Sequence, residues 1–323
     1  MTAWLLRRLA AGIAIIFAVV TLTFAAVHLA PGEPFLPADG RPMKPEAVER
    51  LRRVYGLDRP LPEQYVRYLG ALAHGELGES FSRRQPVATM IGNALPNTLL
   101  LAGAALLLDF TLGIAIGIFQ AARVRRRSDA ALTHLTLFFY SMPTFWLGLV
   151  LLLVFGQWLH WFPVGGIVDP VVHDALPWLG RVVDRLRHLV LPALTLGLIG
   201  AGGTARFQRA ALLEALGHDY VRTARAKGLT ESAVLLRHAL RDALLPVIAL
   251  LGIALPFLLT GAVLTETVFA WPGLGKLAAD AIAARDYPLV LGTTLLACTA
   301  VVTGSLVADL LTAAADPRIR LTA

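Results

Sequence analysis

The chain has 323 residues, 56% of them hydrophobic and only 16% charged, with a mean hydropathy of +0.66. A water-soluble domain is nearer half apolar and about a quarter charged, so these proportions exclude an ordinary soluble globule and point to a membrane protein. The net charge of +7 comes from 29 Lys and Arg against 22 Asp and Glu. Its distribution along the chain reads as a topology signal and gives no argument for nucleic-acid binding.

A helix needs about 20 mostly apolar residues to cross the hydrocarbon core. Such runs lie at residues 9–29, 98–120, 132–158, 189–206, 244–265 and 289–310, which predicts six spans in an all-α polytopic bundle. Arg7 and Arg8 precede a first run too long for a secretory signal and without a convincing small-residue cleavage site, so it is expected to stay as an anchor. With the N-terminus inside, the inward segments carry fifteen Lys and Arg and the two short outward loops five, so both ends are expected in the cytoplasm. The other nine fall in the long first loop, which the rule discounts.

The first span closes on His28-Leu29-Ala30-Pro31-Gly32, where Pro and Gly stop the helix. His28 reads either as an interfacial histidine or as a proton carrier. Residues 31–97 are predicted to form an extracytoplasmic insert. It carries an amphipathic helix over 45–55, a helical piece over 62–69 and a turn at 75–81. It is too small to bury a core alone, and so is expected to pack on the membrane domain, as a docking surface or as a brace.

In the second span, Asp109 lies amid apolar residues. A carboxylate there costs several kcal/mol unless it faces the bundle interior, finds a partner or is protonated, which makes Asp109 a pathway or helix-packing candidate. Gly113 and Gly117, four apart, suit close helix packing. The cluster Arg123 to Arg127 is a topological anchor. The third span contains Ser141-Met142-Pro143, where the proline predicts a kink that either lines a pore or is simply packed. Trp158, Trp161, Trp178 and Trp271 are expected in an outer aromatic belt.

Residues 207–243 form a charged gap between spans four and five. Within it, Asp219 is expected to cap a short helix over 220–227 that Gly228 terminates, and a second helix is expected to start at Thr230. The helix carries Arg222 and Arg225 on one side and alanines that permit close approach of another backbone. The fifth span ends at Glu266, which either shapes a gate or pairs locally. The sole cysteine, Cys298, lies in the last span and reads as a small buried apolar residue. No GxxxxGK[ST] phosphate loop, Cys-x-x-Cys pair or GxSxG elbow occurs, so ATP binding, metal binding and catalysis are not expected of this chain.

Three stretches carry a resemblance: Arg222-Thr223-Ala224-Arg225-Ala226-Lys227-Gly228, Glu266-Thr267-Val268-Phe269-Ala270-Trp271-Pro272-Gly273-Leu274-Gly275, and Arg285-Asp286-Tyr287-Pro288. Together with PGEP at 31–34, ELGESF at 76–81 and Asp316-Pro317-Arg318, they resemble the dipeptide/oligopeptide/nickel branch of ABC-importer permeases over nearly the whole chain. The branch usually has Asp where Glu33 and Glu76 stand. The general coupling-loop pattern is also altered here, with Arg222, His238 and Arg241 in place of Glu, Ile and Pro.

The resemblance implies a type I ABC-importer permease fold in a bacterial inner membrane. It also implies a second homologous permease subunit in a heterodimer, two cytoplasmic ATPase subunits that bind ATP and Mg, and an extracytoplasmic substrate-binding protein. Arg222, Thr223, Ala224, Arg225, Ala226, Lys227, Gly228 and His238 would contact the ATPase; Asp109, Ser141, Pro143 and Glu266 are the pathway candidates. Peptides are the favoured cargo, with nickel and glutathione as alternatives. An ion-gradient transporter working alone through Asp109, or a scaffold without a pore, are the rival readings.

Overall fold

The computed structural model describes residues 2–31, 45–259 and 262–315. The sequence words at Gly32–Pro34 and Asp316–Arg318 lie outside them. Among the described residues the only extended pairing is an isolated bridge between Glu79 and Pro86. Everything else regular is helical, as the composition requires.

The helices run α1 (Thr2–Leu29), α2 (Pro45–Val54), α3 (Leu61–Ala73), α4 (Val87–Ala122), α5 (Arg127–Ser141), α6 (Thr144–Leu151), α7 (Trp178–Leu216), α8 (Asp219–Ala226), α9 (Glu231–Ala233), α10 (Leu240–Leu259), α11 (Val263–Val268), α12 (Leu274–Ala283) and α13 (Tyr287–Ala315). Wider π-type turns extend α6 through Leu152–Trp158 and join α9 to α10 through Val234–Ala239. Four described helices are long and apolar enough to cross a membrane, and five if α5 and α6 count as one broken span. The run predicted at 244–265 falls on α10, and then on the separate short α11 beyond residues 260 and 261.

Two predicted elements differ in extent. The second span is expected from residue 98, and the helix that carries it, α4, begins earlier, at Val87. At about 1.5 Å per residue its 36 residues reach roughly 54 Å, well past a bilayer core of about 30 Å. The expected kink at Pro143 is a full break. Ser141 ends α5, Pro143 caps α6, and the two axes differ by 104°. Proline disfavours helical geometry in the residue before it, here Met142, which is extended, and has no N–H to continue the ladder.

The chain divides into two units. The first comprises Met1–Thr98, Leu259–Val263 and Pro272–Thr303. Its core joins the start of α4 to α12 and α13 through Val87, Ile91, Leu274, Leu277, Ala281 and Leu289. The insert packs on the ends of α1 and α13, as expected, and it does so through aromatic rings. Phe24 of α1 stacks on His28 and meets Tyr65 and Tyr68 of α3, while Phe81 bridges Tyr55 and Tyr287. His28 thus sits in an aromatic cluster, with Nδ1 2.9 Å from the Phe24 carbonyl.

The second unit comprises Leu99–Leu258, Leu264–Trp271 and Gly304–Ala323. Here α4 and α7 meet along a seam of small residues. A Cβ at Gly113 would strike Thr204, one at Gly117 would strike Gln208 and the Ala205 carbonyl, and one at Gly197 would strike Leu108. The predicted role of Gly113 and Gly117 in close packing is therefore met. Trp271, expected in the aromatic belt, is fully buried against Leu101, Leu189 and Ala193. Trp158, Trp161 and Trp178 are exposed. A tryptophan held by packing on every side has no need of the interface.

Candidate functional site

The segment 207–243 is helical almost throughout. α7 runs on to Leu216, and His218 caps α8, so the expected cap Asp219 is instead the first helical residue. The stop is as expected: Gly228 adopts φ +79°, a left-handed conformation that favours glycine, and its N–H reaches the Arg225 carbonyl. Thr230 caps the next helix by accepting a hydrogen bond from the Ala233 N–H at 3.4 Å.

Residues three apart on a helix share a face. Val221 and Ala224 occupy the inner face of α8 and pack against Leu212, Ala215, Val234, Ala239 and Ala243. The small side chain at 224 therefore lets α8 approach its own chain, where the sequence reading had it admit a partner's backbone. Arg222, Thr223, Arg225, Ala226, Lys227, Gly228 and His238 are all exposed. Arg225 makes a two-pronged contact with Glu231, Nε to Oε1 at 2.9 Å and Nη2 to Oε2 at 3.1 Å, which raises its pKa above the usual arginine value. Among the described residues Arg222 reaches only Asp219, at 3.3 Å, and it stays largely in solvent. Partial burial, then a hydrogen bond to Asp242, push the Tyr220 phenol up to about 12.

In the same unit α4, α5, α6, α7 and α10 enclose a cleft of about 710 Å³. Asp109 lies on its wall, and its Oδ1 accepts a 2.6 Å hydrogen bond from the Thr204 hydroxyl. Tyr140 and Thr144, on either side of the α5–α6 break, line it too. The break and the carboxylate, picked out separately in the sequence, are thus brought together. Ser141 and Pro143 themselves are exposed and do not line the cleft. Glu266 is elsewhere: it is fully buried, and its carbonyl accepts the Trp271 N–H at 2.8 Å.

Two ionic constellations escaped the sequence reading. Asp129 of α5 binds Arg209 of α7 through both carboxylate oxygens, at 3.0 and 2.9 Å, and takes the Arg125 N–H. In the first unit, fully buried Asp286 accepts from the Ser80 and Ser82 hydroxyls and from the N–H groups of Phe81, Ser82 and Leu289. It clips the ELGESF turn to the start of α13, so two of the words singled out above meet at one carboxylate. Asp three residues before Leu289, with Pro288 between, was legible as a helix cap; its distant partners were not.

A bundle of long apolar helices with a broken span, a carboxylate-lined cleft between them and a short helix showing solvent a cationic face has the features of a transport permease. Residues 113–321 match the family described as binding-protein-dependent transport system inner membrane component, and residues 1–102 match its N-terminal membrane component. This chain belongs to that family. It is 43% identical to the di/tripeptide transport system permease protein DppB of Pseudomonas aeruginosa, over 99% of both chains. It is 38% identical to the oligopeptide permease AppB of Bacillus subtilis and 39% identical to the dipeptide permease DppB of Escherichia coli K12, again over 99% of each. A chain of the MetNI methionine ABC transporter, solved in an inward-facing form, shares the fold with a TM-score of 0.52. That match has 17% identity and covers 71% of this chain and 97% of the other.

Proposed function

We propose that this chain and a second, homologous permease subunit together form the translocation path for di- and oligopeptides in an ATP-driven importer. Two cytoplasmic ATPase subunits bind ATP and Mg, an extracytoplasmic binding protein delivers the cargo, and this chain holds no cofactor of its own. Both ends lie in the cytoplasm of a bacterium, with the bundle in the inner membrane. Peptides are favoured over nickel or glutathione, because the three full-length relatives named above are peptide permeases.

The observation that carries this reading is the two-faced α8, apolar and packed inward, cationic and solvent-exposed outward. A helix seated this firmly transmits force as a rigid body. ATPase closure would displace α8, and with it α7 and α10, which flank it in the chain and share its packing. Arg222 is the residue best placed to meet an acidic groove on the ATPase, since Arg225 is engaged by Glu231.

Arg222→Glu tests this. In the assembled complex it should abolish ATP hydrolysis stimulated by loaded binding protein, with membrane insertion intact. Normal stimulation would remove α8 from the coupling path. A bulky residue at Ala224 tests the inner seat instead, and should unseat α8.

A further inference from the structure

We infer that the Asp109 cleft is the transient seat of a peptide's α-ammonium group during passage, a subsite that rests on the peptide-import reading above. The cleft's volume, about 710 Å³, lies within the roughly 300–1,000 Å³ of ordinary small-molecule sites. Its walls are apolar and aromatic, with Phe110, Tyr140, Phe207 and Leu250, and Asp109 alone among the lining residues carries a charge. The carboxylate is held in place. Thr204 fixes Oδ1, and Oδ2 lies over Gly200, where any Cβ would collide with it.

Among the described residues no Lys, Arg or His stands within ion-pairing distance of Asp109. The nearby Arg206 lies over the Tyr140 ring instead, 5.5 Å from its centroid. An unpaired carboxylate in a spanning helix is costly, and a cation that arrives with the cargo offsets that cost only while the cargo is present. That is what a path requires: a stop deep enough to enter and shallow enough to leave. The α-ammonium is the one cation every di- or oligopeptide shares, whatever its side chains. Walls that are mostly apolar, with only the Tyr140, Thr144 and Thr204 hydroxyls beside the carboxylate, accept those side chains with little discrimination. A divalent metal needs several ligands, and this wall offers one carboxylate.

The test uses the full complex in proteoliposomes, radiolabelled dialanine as cargo, and Phe207→p-benzoylphenylalanine as a light-activated reporter in the cleft wall. During turnover the reporter should capture dialanine. Asp109→Asn should lower both capture and uptake about tenfold, the loss expected when a charged partner becomes neutral, while Asp109→Glu retains most of both. Uptake and capture undiminished in Asp109→Asn overturn the subsite. So does capture of lipid or of the second permease in place of dialanine. A wild-type complex that neither imports dialanine nor hydrolyses ATP faster when its binding protein is loaded overturns the functional reading itself.

Should Asp109→Asn fail to assemble, competition on the otherwise wild-type reporter complex, without binding protein, decides the matter. Excess dialanine should abolish capture and N-acetyl-dialanine should not. Equal competition by the two overturns the proposal.

Discussion

Replacing Asp286 by Asn keeps the size of the side chain and removes its charge and one acceptor. In the wild-type chain Oδ2 serves the Ser80 and Ser82 hydroxyls at 2.5 and 2.7 Å and the Ser82 N–H at 2.9 Å, while Oδ1 serves the N–H groups of Phe81 at 3.1 Å and Leu289 at 3.3 Å. A hydroxyl can rotate to accept from an amide, but a backbone N–H cannot. With its NH₂ at the Oδ2 position the new side chain strands the Ser82 N–H; the other orientation strands two such groups. One buried orphan costs about 1–3 kcal/mol, and the surviving bonds lose their charge assistance, so about 2–4 kcal/mol is expected in all. If the loss falls on local opening of the turn, the open population rises about 30- to 700-fold at 1.4 kcal/mol per decade. The next residues are Arg83 and Arg84, so trypsin reads that opening directly. Cleavage there, followed by fragment mass in detergent, should accelerate by that factor. A rate within about twofold of wild type would refute the idea that this carboxylate clips the insert to α13.

Gly117→Val drives a side chain into Gln208 Cβ, at 2.7 Å from the first added atom, and the Ala205 carbonyl, at 2.8 Å. Overpacking of this kind costs about 1–3 kcal/mol, so the melting temperature of the purified chain should fall. Gly103→Ala, which has nothing within 4 Å, should leave it unchanged; equal effects at both sites would dismiss the seam. Tyr68 supplies a pH test, since burial, and then the neighbouring Tyr65, push its phenol up to about 12. The fold thus favours the neutral phenol: the stability this contributes is whole below the ordinary tyrosine value of about 10 and is lost as pH rises through about 12. Absorbance at high pH, taken as the difference between wild type and Tyr68→Phe, should show its step near 12 and not near 10.

The sequence by itself determined the class, the long helices and the place where one of them is interrupted. Apolar runs of about 20 residues have few other fates, proline in a helix interior kinks or breaks it, and Gly228 after a basic residue stops one. α8 was legible to within a residue because its start and stop signals are local. Its apolar face is also written in the sequence, as Val221 and Ala224 three apart among charged neighbours, but what covers that face is not. The cover is what α7 and α10 bring against them. Asp109 announced itself as a charge in the wrong solvent, yet only the bundle decided that Thr204, Tyr140 and Thr144 surround it and that Glu266 does not. The pairs Asp129–Arg209 and Asp286–Ser80 are separated by 80 and 206 residues, and no periodicity or propensity encodes a contact across such a distance. Local chemistry specifies elements; the partners of a buried charge are specified by whichever elements pack beside it.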